Sequence, residues 1–118
     1  MVKTIMVVDD EEDNRTTVKE VLEKNGYEVI TANTADDCLE KLKQTKPSLI
    51  LMDIMMPGTP VKEAIKLIKE TKIAYLSVVR VGEAEKEELL KAPNIVGFIQ
   101  KPFSPESIME IVNKVMNK

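Results

Sequence analysis

Asp53 stands in the stretch SLILMDIMMPGTP, residues 48–60, where four apolar residues run straight into a carboxylate and a Pro-Gly turn follows. Asp9 and Asp10 close a second apolar run, Ile5 to Val8. Lys101 follows a third, Ile95 to Ile99. Carboxylates brought close together repel one another, and burial makes each anion costlier. A hard dication with oxygen ligands offsets that cost, and Mg²⁺ commonly takes one or two carboxylates together with phosphate oxygens. Lysine adds a compact positive charge suited to a phosphate. A metal, a carboxylate nucleophile and a lysine are the parts needed to move a phosphoryl group onto an aspartate.

The elements that must position these groups alternate along the chain. Apolar runs at Ile5 to Val8, Tyr27 to Ile30, Leu49 to Met52, Ile73 to Val79 and Ile95 to Ile99 are separated by segments with helical spacing. Ile108, Ile111, Val112 and Val115 mark the clearest helix, entered through Ser104-Pro105-Glu106. Gly26 sits where the first helix should stop, and Thr34 to Asp37 resembles a capping box. Strands apolar on both faces, separated by helices, predict an α/β fold: a doubly wound five-stranded parallel sheet, flavodoxin-like in its order 2-1-3-4-5, with five helices. Such sheets place their sites beyond the carboxyl ends of the strands, at the switch in strand order. Strands one and three flank that switch, so Asp9, Asp10 and Asp53 converge there, and Lys101 ends strand five.

Composition narrows the chemistry. The 118 residues, 43% of them hydrophobic, suffice for one domain, 1–118. No apolar run is long enough to span a membrane, and the start is too short and too soon acidic for a secretory signal. The single cysteine, Cys38, permits no disulfide framework and fits a small buried hydrophobe in a reducing, cytoplasmic setting. A net charge of −3 with both signs dispersed argues against direct nucleic-acid binding. There is no histidine, which removes histidine bases, Ser-His-Asp triads and a histidine phosphoacceptor.

Asp9-Asp10, MDIMMPG around Asp53, and FIQKPF with Lys101-Pro102 make the chain resemble the CheY-like receiver domain of bacterial and archaeal response regulators, over essentially its whole length. The resemblance implies two-component signal transduction, with Asp53 as phosphoacceptor. It implies Mg²⁺ held by Asp9, Asp10, Asp53 and the backbone carbonyl of Met55, and Lys101 against the acyl phosphate. Phe98, three residues before Lys101, matches the family's aromatic switch position. The donor is expected to be a partner histidine kinase or phosphotransfer protein. The domain is expected to signal rather than to act as an enzyme, although metal-dependent self-phosphorylation and slow autodephosphorylation go with the resemblance. Each residue also has a plainer role open to it: Asp9-Asp10 as a helix cap, Asp53 as a turn residue, Lys101 as a solvated lysine, Phe98 as an ordinary strand aromatic.

The pattern breaks on strand four. Family receivers carry Thr or Ser at its end, usually followed by a small residue; counting back from Lys101, that position falls on Val79, followed by Arg80. Ser77 lies two residues earlier on the same strand face, about 6–7 Å deeper by strand rise, and a register shift of two would bring it into place. Without the hydroxyl, a phosphorylation-dependent switch loses about 1.5–3 kcal/mol of bias, unless the Arg80 guanidinium reaches the phosphate. A second reading is therefore an atypical receiver acting as a phosphorylation-independent interaction module. Met55 and Val81, expected to flank the phosphate entrance, are apolar and predict slow hydrolysis. The stretch PGTPVKE departs from the family where the third helix begins. Two other classes fit poorly. A haloacid-dehalogenase-type hydrolase needs an acid where Met55 stands, and a flavin-binding protein needs a hydroxyl-rich loop where Asp9 to Glu12 stand. The chain ends soon after its last predicted helix, so output is expected through a surface to an unknown partner, and the resemblance implies the face made by the last two helices and strand five.

Overall fold

A computed structural model of the protein describes residues 3–54, 61–68, 70–77, 91–100 and 103–116. The strands are β1 (Thr4–Val8), β2 (Glu28–Ala32), β3 (Leu49–Asp53), β4 (Lys72–Ser77) and β5 (Ile95–Gln100). The helices are α1 (Glu12–Lys24), α2 (Ala35–Leu42), α3 (Val61–Leu67) and α4 (Pro105–Met116). All five strands pair in parallel in the order β2-β1-β3-β4-β5. The expected order is thus observed. Four helices are seen among the described residues; the further one expected around Leu89 and Leu90 lies outside them.

Two cores explain why the central strands carry apolar residues without alternation. Ile5, Val7, Leu49, Leu51, Ala74 and Leu76 face Val18 and Leu22 of α1 and Ile108 and Val112 of α4. Met6, Val8, Ile50, Met52, Ile73 and Tyr75 face Cys38 of α2 and Ile65 of α3. A strand with a helix layer on each side must bury both sets, and full burial of each such side chain contributes about 1.5–3 kcal/mol.

The helix ends follow their local chemistry. Gly26, at φ +90°, ends α1 in a Schellman motif. Its amide donates to the Glu23 carbonyl and that of Tyr27 to Leu22, both at 3.1 Å. This corrects the expected start of strand two: the Tyr27 amide is committed to the helix cap, so the strand begins at Glu28 and runs on to Ala32. Thr34 caps α2 by accepting from the Asp37 amide at 3.0 Å. Asp37 accepts in turn from the Asn33 amide, one residue before the cap, rather than from Thr34 itself. At the start of α4, Ser104 and Ser107 each accept from the other's amide, a reciprocal capping box. Lys3 donates to the Met116 carbonyl at 3.2 Å and ties the start of β1 to the end of α4.

Candidate functional site: an acidic cluster at the strand ends

β1 and β3 are adjacent and in step, with Val8 level with Met52. The next residue on each is an aspartate, so the carboxyl edge of the sheet receives Asp9 and Asp53 side by side. Both are buried, Asp9 fully and Asp53 to 3% exposure, whereas Asp10 is exposed. One carboxylate oxygen from each of the three falls within 4.8 Å of the others. Two unit charges at that separation repel by about 3.5 kcal/mol at an effective dielectric near 20. The donor set is oxygen only, two members are buried and the third opens to solvent. That composition fits a hard dication that keeps part of its water shell, as Mg²⁺ does.

Asp9 is held along its whole length. Its amide donates to the Ala32 carbonyl of β2 at 3.1 Å. Its Oδ1 accepts from the Glu11 amide at 2.9 Å, and its carbonyl accepts from Arg15 Nη1 at 2.7 Å. The residue that caps α1 is Glu11, with no side-chain cap bond. Asp9 therefore shapes the turn between strand and helix, and its carboxylate stays at the sheet edge. Asp53 closes β3 level with Leu76 of β4, and the Ile54 amide donates to the Leu76 carbonyl at 3.1 Å.

Phe98 is level with Tyr75, half-buried against the core on the α2–α3 side. The two rings are tilted by 37° with centroids 5.3 Å apart. Met55, Val79 and Lys101 lie outside the described residues, as do Arg80 and Val81. The described part of β4 ends at Ser77, whose backbone is level with Gln100 and one step beyond the Leu76–Asp53 pair. Cys38 is buried, and its thiol is pushed up to about 12, chiefly by burial and further by Asp37, with Lys41 pulling the other way. An inert thiol in the core is the result. Arg15 was not singled out in the sequence: it stands six residues from Asp9, a spacing that matches no regular helix or strand neighbour.

The family model of the response regulator receiver domain matches residues 5–113, nearly the whole of the fold. The chain belongs to this family. The receiver is 36% identical to the chemotaxis protein CheY of Thermotoga maritima over 120 residues, covering 98% of each chain. It is 32% identical to CheY of Bacillus subtilis, covering 99% of this receiver and all of that protein. It is also 31% identical to the Bacillus subtilis alkaline phosphatase synthesis transcriptional regulatory protein PhoP, but spans half that protein's length. Among solved structures, a response regulator from Thermotoga maritima superposes with a TM-score of 0.83 at 30% identity, with full coverage of both chains. The receiver is a domain of two-component signalling, a class of signalling modules rather than classical enzymes. No helix among the described residues is long and apolar enough to cross a membrane.

Proposed function

We propose that this receiver accepts a phosphoryl group on Asp53 from a partner histidine kinase or phosphotransfer protein, with Mg²⁺ held by Asp9, Asp10 and Asp53. The observation that carries the reading is the acidic cluster, three carboxylates within 4.8 Å with two of them buried at adjacent strand ends. In the transfer, an Asp53 oxygen attacks phosphorus, the donor's P–N bond breaks, and the neutral imidazole departs with a proton. The chain has no histidine, so that donor belongs to another protein or domain. Bound Mg²⁺ would neutralise charge on the carboxylates and on the transferring oxygens. The backbone carbonyl of Met55 completes the proposed ligand set, and Lys101 the phosphate contact. Cytoplasmic location and output through a protein surface belong to the same reading.

The register of β4 supports a choice on the switch hydroxyl. Ser77 stands one step past the residue level with Asp53, and is level with Gln100, the last residue of β5. This favours Ser77 over Val79 as the strand-four residue that meets the phosphoryl group. It also weakens the alternative of a phosphorylation-independent module, which rests on the missing hydroxyl.

Acetyl phosphate with Mg²⁺, read by intact mass, tests the proposal. A metal-dependent gain of one phosphoryl group, abolished by Asp53→Asn, is expected. No gain and no Mg²⁺ binding would leave the interaction module. Ser77→Ala should cut the phosphorylation-dependent conformational response about tenfold, the effect of losing one charge-assisted hydrogen bond. An unchanged response in Ser77→Ala returns the position to Val79.

A further inference from the structure

Arg15 sits in the first turn of α1, at the end of the helix where the dipole disfavours a cation. Five acids precede it in sequence: Asp9, Asp10, Glu11, Glu12 and Asp13. Its hydrogen bond nevertheless goes to a backbone carbonyl, that of Asp9, at 2.7 Å. The ion pairs among the described residues are Lys41–Asp37, Lys43–Glu40 and Lys66–Glu63, and Arg15 is in none of them. Helical side chains lean toward the N-terminus of their helix, which lets an arginine in the first turn of α1 reach back past the cap residue Glu11 to Asp9.

The bonded carbonyl belongs to the peptide that joins Asp9 to Asp10. Asp9 is already fixed by the Ala32 carbonyl and the Glu11 amide. Asp10 is the exposed member of the cluster, and no hydrogen bond among the described residues holds its side chain. The orientation of that peptide therefore decides where its carboxylate stands. A guanidinium paired with a carboxylate would draw ligand oxygens away from a cation; one bonded to the carbonyl takes none.

We propose that Arg15 is a positioning residue for the cation site, clamping the Asp9–Asp10 peptide so that the Asp10 carboxylate is held ready for the metal. The inference rests on the proposed Mg²⁺ site. It predicts an effect opposite in sign to simple electrostatics, because removing a positive charge beside a cation site should by itself tighten cation binding.

Mg²⁺ is titrated calorimetrically into wild type, Arg15→Met, Arg15→Lys and Arg15→Gln, and exchange of the Asp10 and Glu11 amides is followed by NMR in EDTA. Arg15→Met should bind Mg²⁺ about tenfold more weakly, in line with other outer-shell partners. Its Asp10 amide should exchange faster in EDTA, and Arg15→Lys should recover part of both. If Arg15→Met does not fold, Arg15→Gln, which keeps a donor without the charge, serves the same comparison. Equal or tighter binding in Arg15→Met, with wild type binding normally, overturns the clamp alone. A wild type that binds no Mg²⁺ overturns the metal reading, and the clamp's purpose with it.

Discussion

Tyr75 and Phe98 occupy level positions on β4 and β5, and their rings meet at a centroid distance of 5.3 Å. Tyr75 is fully buried, while Phe98 keeps part of its ring accessible. The inner ring is thus a fixed wall and the outer one the member with room to move. If phosphorylation repositions Phe98, the environment of Tyr75 changes with it. The chain has two tyrosines and no tryptophan, so tyrosine fluorescence reports on this contact. Acetyl phosphate with Mg²⁺ should change the emission of wild type and leave that of Phe98→Ala nearly unaltered. Phe98→Ala should also cost about 2 kcal/mol of stability in urea titrations, less than for a fully buried phenylalanine.

Stability should decline in alkali for two reasons. Burial pushes the Tyr75 phenol up to about 12 from 10.0, and burial with Asp37 pushes the Cys38 thiol up to about 12 from 9.0. Each group is neutral in the native state at a pH where the unfolded chain has already lost the proton. Their stabilisation is therefore full below pH 9, falls from 9 for Cys38 and from 10 for Tyr75, and is gone near 12. The slope is at most about 1.4 kcal/mol per pH unit for each group. Melting temperatures between pH 8 and 11 should fall more shallowly in Cys38→Ala and Tyr75→Phe than in wild type.

Gly97 lies under α4 at the close approach of helix and strand. A Cβ there would stand 2.6 Å from Ile111 Cδ1 and 3.6 Å from its Cγ1. Gly97→Ala should destabilise by about 1 kcal/mol, the lower range for overpacking, because a side-chain end can shift. Adding Ile111→Val removes the clashing methyl and should restore most of the loss. A double mutant no better than Gly97→Ala would place the strain elsewhere.

Asp10 offers the cleanest view of repulsion in the cluster, since it is the exposed member. Asp10→Asn should raise the melting temperature in EDTA, with a gain of about 1 kcal/mol from relieving like charges. Saturating Mg²⁺ should stabilise wild type and add little to Asp10→Asn, as expected when a ligand binds only the native state. A variant that melts lower in EDTA contradicts the repulsion argument.

Met55 is apolar, and so is the flanking position two residues beyond the strand-four switch, Val81 if counted from Val79 and Val79 if counted from Ser77. Neither side chain can orient water, which predicts a slowly hydrolysing acyl phosphate. Met55→Asn with Val79→Glu should shorten the phosphoryl half-life several-fold if Ser77 is the switch residue, and Met55→Asn with Val81→Glu if Val79 is. The loss of mass from phosphorylated protein after removal of acetyl phosphate measures it.

Much of the fold was legible because it follows from burial. Ile5 to Val8 and Leu49 to Met52 must hide both faces, which demands helices on each side and parallel strands. Strand order then brought Asp9, Asp10 and Asp53 to one edge without knowledge of any contact. Tyr27 misled as a strand residue because its β-propensity was visible, whereas the commitment of its amide to the cap after Gly26 was not. Arg15 escaped notice because its partner is a carbonyl, and no residue type signals a backbone acceptor. Counting back from Lys101 and matching the turn at Gly82-Glu83 puts the strand-four switch position on Val79, which lies outside the described residues. Pairing across β4 and β5 sets Ser77 level with Gln100, one step beyond the Leu76–Asp53 pair.

The bond between Lys3 and the Met116 carbonyl has a further consequence. It closes the molecule at the amino edge of a parallel sheet, opposite the edge that carries the aspartates. Lys3 and Met116 therefore both lie at the far pole from the acidic cluster. A tag or surface linker attached beside residue 3 or residue 116 should therefore leave Mg²⁺ binding at the cluster unchanged. The same proximity makes a circular permutant, joined from residue 116 back to residue 3 by a short glycine-rich bridge, a natural way to relocate those tethers.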